Sequence, residues 1–160
     1  MEIMERVYGL LYPMRIVLVT SRAGGKDNIM TAAWCFPLSM DPPLFGVSLS
    51  NSRYSYSMVK ESGCFGINLV APDMRKAALL CGTKSGREVD KFSEGKLTNE
   101  EAEKIDCALV GESPVSIECK LVGTLKTGDH YLFIGEAVNV KRRRETNGLY
   151  QKAGTDWIEI

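Results

Sequence analysis

One histidine, no Cys-x-x-Cys spacing and no excess of either charge are the first features of this sequence. Each absence removes a class of function. Twenty Lys plus Arg balance twenty Asp plus Glu. No cationic surplus is therefore available for counterion-release binding, and no nucleic-acid partner is expected. The same balance excludes an acidic tail or a polybasic membrane anchor. A lone histidine and unpaired cysteines leave no Cys/His cluster for zinc, so no metal site is expected. No apolar run approaches the roughly 20 residues of a membrane span. The N-terminal stretch carries Glu2, Glu5 and Arg6 where a secretory signal needs an apolar core. Repeats, low-complexity tracts and linkers are absent, as is any dyad or triad arguing for hydrolysis.

What remains is an ordinary globular composition, 44% hydrophobic and 25% charged over 160 residues, read as one domain spanning 1–160. The five cysteines, at 35, 64, 81, 107 and 119, are an odd number and four lie in apolar stretches. They read as small core hydrophobes in a reducing cytoplasm, the expected location.

Hydrophobic patterning predicts strands with short helices between them. Ile16 to Thr20 is a β-branched run ending in the turn-rich Ser21–Asp27, a hairpin signal. Strands follow at Ile29 to Phe36, Leu44 to Ser50 and Cys64 to Val70. Tyr54 to Glu61 reads as a helix stopped by Gly63. A second helix is expected from Pro72-Asp73 through Leu80, with Asp73 as N-cap and Gly82 as stop. Residues 83–114 read as loop-rich, with a charged helical stretch near Asn99 to Lys104. Val115, Ile117, Cys119 and Leu121 alternate with polar residues, and Tyr131 to Val140 returns after Gly128-Asp129 as a hairpin partner. Mostly antiparallel strands with a few helices predict a small barrel.

The first site candidate is the turn from the third strand into the first helix, which contains Ser48, Ser50, Asn51, Ser52, Arg53 and Ser55. A helix N-terminus presents unpaired N–H groups and the positive end of the dipole. Hydroxyls and a guanidinium add charge-assisted donors suited to phosphate. Simple helix capping is the competing reading, although a cap needs one side chain and this turn offers several. The second candidate is Asn28 to Trp34, where Asn28 and Thr31 are polar in a run that otherwise reads as buried and Ala32 and Ala33 leave room for a flat ring to approach the backbone. An ordinary strand with a turn asparagine competes with it. The third is Cys81 to Phe92, which includes Lys91. Its Gly-rich basic opening suits phosphate but lacks the order of a nucleotide P-loop.

These strings, taken in order, resemble one family. Asn28-Ile29-Met30-Thr31-Ala32-Ala33-Trp34, Met40-Asp41-Pro42-Pro43-Leu44 and Ser52-Arg53-Tyr54-Ser55 carry the likeness. Lys60-Glu61-Ser62-Gly63, Phe65 to Leu69, Cys81-Gly82-Thr83 through Asp90-Lys91-Phe92, and Gly128-Asp129-His130 continue it. The sequence is similar to the flavin reductase-like, FMN-binding split-barrel family, flavoredoxin-type members above all, strongest over residues 12–140. The resemblance implies a mainly β, six-stranded Greek-key split barrel with short flanking helices. It also implies a homodimer with one tightly bound FMN per subunit near the interface. It places Asn28 and Thr31, with Ala32, Ala33 and Trp34, along the ring, and Ser50, Ser52, Arg53 and Ser55 on the phosphate, beside Ser48 and Asn51. Asn68 and Lys91 are weaker carry-overs, Asn68 having the alternative of satisfying backbone groups.

His130, the catalytic candidate, is placed near the flavin or an incoming nicotinamide, against the alternative of a plain turn residue. The activity implied is that of an NAD(P)H-dependent flavin oxidoreductase, with NAD(P)H as co-substrate and free flavin, ferric iron or a redox protein as acceptor. The alternative is a flavoredoxin-like electron carrier without nicotinamide activity. Lys141-Arg142-Arg143-Arg144 reads as a solvated strand end or a docking patch for an NADPH phosphate or an acidic partner. The tail to Ile158 reads as packing on a subunit partner or as capping the flavin.

Overall fold

A computed structural model describes residues 7–160, so Glu2, Glu5 and Arg6, on which the reading of the N-terminus rests, lie outside the described residues. After a 3-10 turn at Val7–Leu11 the strands and helices run β1 (Met14–Arg15), β2 (Val17–Ala23), β3 (Lys26–Ala32), β4 (Cys35–Ser39), β5 (Leu44–Ser50), α1 (Tyr54–Ser62), β6 (Cys64–Leu69), α2 (Arg75–Thr83), α3 (Lys91–Glu94), β7 (Asn99–Glu101), β8 (Ala108–Val110), β9 (Val115–Thr127), β10 (His130–Arg142), β11 (Leu149–Ala153) and β12 (Asp156–Glu159).

The main sheet has the order β3-β2-β6-β9-β10-β5-β4, with every neighbouring pair antiparallel. Its two end strands, β3 and β4, are consecutive in the chain and separated by Ala33 and Trp34 alone. The sheet must therefore curl until its edges meet at that seam, which is the split-barrel arrangement. The predicted strand Ile29 to Phe36 divides there: the chain leaves the ladder of β2 after Ala32 and joins that of β5 at Cys35. Seven strands in the ladder thus correspond to six runs of extended chain.

Patterning explains the layers. Val17 and Val19 of β2 point into the barrel with Val47, Leu49, Phe65, Ile67 and Phe133. Leu18 of the same strand, with Ile16 before it, points outward onto Ile29, Ala78, Phe92, Leu149 and Trp157. Both faces of β2 are covered, so it reads as an unbroken apolar run. The β2–β3 hairpin turns on Gly24 and Gly25, with φ of +57° and +73°, the left-handed pair that a tight hairpin needs. Gly63 ends α1 in the same conformation, its N–H donating to Val59 O.

Three local expectations are corrected. Asn99 to Lys104 is not helical: β7 pairs with β8. Arg22 draws in Glu101 and Asp106 at 2.6 and 3.0 Å, and the buried Glu118 carboxylate accepts N–H groups of Glu103 and Lys104. Asp73 lies in a 3-10 turn (Pro72–Met74) ahead of α2 and pairs with Arg144 instead of capping. Gly82 lies inside α2, which runs on to Thr83.

The tail folds back on its own chain. β11 pairs with β1 and β12, Trp157 joins the outer core, and Arg75 donates to Trp157 O at 2.7 Å.

Candidate functional site

A cleft of about 390 Å³ opens at the seam, within the size range of small-molecule sites. One wall is β3 and the seam itself. A second is the end of β5 running into α1. A third is the end of α2 with the segment to Arg87 and Lys91 behind it, and His130 at the start of β10 closes the rim with Tyr12 and Gln151. Every residue expected from sequence to touch a cofactor lines this cleft except Asn51 and Asn68.

Asn68 is a core residue. Its Nδ2 donates to Leu18 O and Thr20 Oγ1, and its Oδ1 accepts from Val110 N and Ser116 Oγ. Its amide is saturated between strands. Asn51 stands exposed in the turn and does not reach the cleft. The end of α2 and the residues to Arg87 line the cleft beside Lys91, the one residue expected as a contact from Cys81 to Phe92. Sequence signalled this segment by its glycines and cations. Tyr12 and Gln151, brought in from the two chain ends, carried no local signal.

The turn from β5 into α1 is rich in donors. The N-cap of α1 is Arg53, which has no acceptor to offer, and no side chain caps the helix. The capping explanation for its hydroxyls therefore falls away: Tyr56 N turns back to Arg53 O at 3.1 Å, and the N–H groups of Tyr54 and Ser55 have no acceptor among the described residues and can face an anion. Ser50 and Ser52 hydroxyls lie 2.9 Å apart. Across from them Arg87 donates to Ser52 O at 3.5 Å, and its guanidinium sits 5.0 Å from the Tyr54 ring centroid, a cation–π contact. Arg53, Lys84, Arg87 and Lys91 all line the cleft and, among the described residues, no Asp or Glu does. A protein of zero net charge has thus gathered an electropositive pocket.

Lys91 is buried, with Nζ donating to Ile29 O and Cys81 O at 2.8 Å each. Burial holds its pKa below the ordinary lysine value. It fixes β3 against α2, as does Thr31, whose hydroxyl donates to Ala78 O at 2.5 Å. Cys81 also faces the cleft. Burial pushes its thiol up to about 11, so it is no thiolate nucleophile at neutral pH. All five cysteines are free thiols.

On the ring-sized wall, Trp34 stacks against His130 with centroids 4.8 Å apart and donates from Nε1 to the Tyr12 hydroxyl at 3.1 Å. His130 Nδ1 donates to Asp129 Oδ1 at 2.7 Å, and that bond holds the Asp129 carboxyl below its usual range. With Nδ1 committed, a neutral imidazole presents Nε2 as an acceptor. The basic block at 141–144 is elsewhere. Lys141 and Arg143 pair with Glu100 and Arg144 with Asp73, and none of the block lines the cleft.

This geometry meets a family match: residues 8–159 fit the flavin reductase like domain. The chain belongs to the flavin reductase-like family. A relative in Archaeoglobus fulgidus, uncharacterized, is 38% identical over 130 residues, covering 81% of this chain and 73% of that one. The ferric-chelate reductase (NAD(P)H) of the same organism is 29% identical over 146 residues, covering 91% and 84%. Among solved structures, the flavoredoxin of Desulfovibrio vulgaris (Miyazaki F) superimposes with a TM-score of 0.86 at 29% identity, covering 93% and 87%. These likenesses agree with the split barrel. Among the described residues no helix is long and apolar enough to cross a membrane.

The cleft passes a test of fit that does not depend on family. A dianionic phosphate matches Arg53, Arg87 and an uncapped helix start, with Lys84, 3.9 Å from Glu94, and the buried Lys91 behind them and no lining carboxylate among the described residues. Asn28 contributes a buried, unpartnered Oδ1, an acceptor suited to a hydroxyl or ring N–H. The alanines at 32 and 33 keep the seam open to a flat ring.

Proposed function

We propose that the chain binds FMN in the seam cleft and works as an NAD(P)H-dependent flavin oxidoreductase. The single observation carrying this reading is a cleft lined, among the described residues, by Arg53, Lys84, Arg87 and Lys91 and by no carboxylate, whose other wall is a small-residue seam beside Trp34 and His130. Ser50, Ser52, Arg53 and Ser55, with the first N–H groups of α1, hold the phosphate. Asn28 and Thr31 through Trp34 hold the ring side, with Ser48 and Lys91 completing the walls. The chemistry supplied by FMN when bound is acceptance of hydride from NAD(P)H and delivery of electrons to free flavin, ferric iron or a protein acceptor. The protein's part is to bind, orient and shield. His130 Nε2 accepts from the carboxamide of an incoming nicotinamide, and Trp34 behind the imidazole keeps it at the rim.

Two features of assembly and setting belong to the same reading. An apolar face holds Tyr8, Leu11, Phe36 and Leu132, with Tyr8 50% and Leu11 77% exposed. Such a face marks a protein contact, and a second copy of the chain forming a homodimer is the occupant we assign to it. Five free thiols suit a cytoplasmic setting.

Anaerobic stopped-flow mixing of the FMN-loaded protein with NADH and with NADPH tests the enzyme reading. Bleaching of the flavin band by either nicotinamide is expected. Bleaching by dithionite or a reduced partner alone assigns the carrier role, which the likeness to flavoredoxin favours. Failure to bind FMN at all removes both.

A further inference from the structure

Asn28 stands where the ring wall meets the phosphate turn. It lies on β3, it is 3% exposed, and its neighbour Ser55 on α1 is 1% exposed. Asn28 Nδ2 donates to Ser55 Oγ at 3.0 Å. The other end of the same amide, Oδ1, has no partner. It faces Gly86 so closely that a Cβ there falls 2.1 Å from it. An amide N–H only donates, so the Ser55 oxygen is engaged as an acceptor and keeps its own proton for another group. Ser55 is the second residue of α1, beside the helix start that no side chain caps.

We propose that Asn28 is a positioning residue that fixes the Ser55 hydroxyl as a donor toward a phosphate ester at the start of α1. The amide thereby makes the cleft select phosphorylated over unphosphorylated flavin. This rests on the reading that flavin binds here, and it gives Asn28 a role beyond touching the ring. A free serine hydroxyl rotates among three staggered wells. Held by Nδ2 on one lone pair, it is pre-organised to donate outward, and a hydrogen bond to a charged group is the strong kind.

The test compares FMN with riboflavin, which differ only in the phosphate. Apo-protein is titrated with each by quenching of flavin fluorescence, as wild type, Asn28→Leu, Ser55→Ala and the double variant. Leucine keeps the shape of asparagine without charge and removes the donor. For wild type, FMN is expected to bind more tightly than riboflavin. Each single variant is expected to cut that preference about tenfold, the size of a lost hydrogen bond to a charged group. The double variant is expected to cut it no further, because the two act as one unit. An unchanged preference in Ser55→Ala overturns the proposal, and so do fully additive effects in the double variant. Should Asn28→Leu fail to fold, Ser55→Ala and Ser55→Thr decide: loss with alanine and retention with threonine support the proposal, and equal behaviour overturns it. A wild-type protein that binds neither flavin overturns the wider reading as well.

Discussion

Replacing Lys91 by methionine separates the structural work of that residue from any contact with a ligand. Its ammonium is the shared donor of two main-chain carbonyls, Ile29 O on β3 and Cys81 O on α2, each at 2.8 Å, and the residue is 5% exposed. Methionine fills most of the space but leaves both carbonyls buried without a donor. Each orphaned group costs about 1–3 kcal/mol, or about 2–6 together. Against this stands the penalty of burying an ammonium, which methionine does not incur. We expect a net loss of about 2–4 kcal/mol, which for a chain of this size lowers Tm by about 5–15 °C. Calorimetry on the apo-protein reads this directly.

A pH series adds a second check. Burial lowers the Lys91 pKa in the folded protein below its ordinary 10.5. Between those two values the unfolded chain binds more protons, so the wild type gains stability as pH rises. The neutral amine still has two N–H donors for its carbonyls. The gap between wild type and Lys91→Met therefore widens from neutral pH toward 10.5. A Tm loss below about 2 °C, or a gap that narrows with pH, refutes the assignment of Lys91 as the tie between β3 and α2.

Other perturbations act at separate points. Arg53→Ala should weaken FMN retention by about 1.5–3 kcal/mol, the scale of a hydrogen bond to a charged group; unchanged affinity in a fluorescence titration removes Arg53 from the phosphate turn. His130→Ala should leave FMN bound and slow reduction by the nicotinamide, and a wild-type stopped-flow rate demotes it to a turn residue. Glu118 is buried; burial raises its pKa, but hydrogen bonds from Glu103 N, Asn139 Nδ2 and Lys104 N outweigh that and leave it lowered from 4.5. Its contribution is full above pH 4.5 and disappears as pH falls through the depressed folded value. Glu118→Gln should therefore destabilise by about 1–3 kcal/mol at pH 6 and by much less near pH 3, measured by urea unfolding; an equal loss at both pH values contradicts this.

Legibility from sequence followed locality. The β9–β10 hairpin was readable because its alternation and its Gly128 turn are local, and α1 because Gly63 stops it where the pattern ends. The donor-rich start of α1 is legible in the sequence because its hydroxyls and arginine lie within eight residues. Asn99 to Lys104 misled because Asn-Glu-Glu-Ala-Glu-Lys favours helix by propensity, whereas Arg22 and Glu118, far away in sequence, hold it in another shape. For Asn68 the sequence leaves a weak flavin contact and the satisfying of backbone groups both open, and only the assembled strands show that all four of its hydrogen bonds are made inside the core. Tyr12 and Gln151 reach the cleft through the β1–β11 pairing, which joins the two ends of the chain.

The seam at Ala33 and Trp34 has a consequence for solubility. Two sheet edges come together there, and an unguarded edge strand is a template for pairing with other chains. On the β3 side the guard consists of Thr31 bonded to Ala78 O and Lys91 bonded to Ile29 O, which keep α2 and α3 over the strand. The same side chains line the cleft. Cleft wall and edge protection are one piece of structure, so substitutions at Thr31 or Lys91 also loosen the cover of a strand edge and are expected to lower solubility.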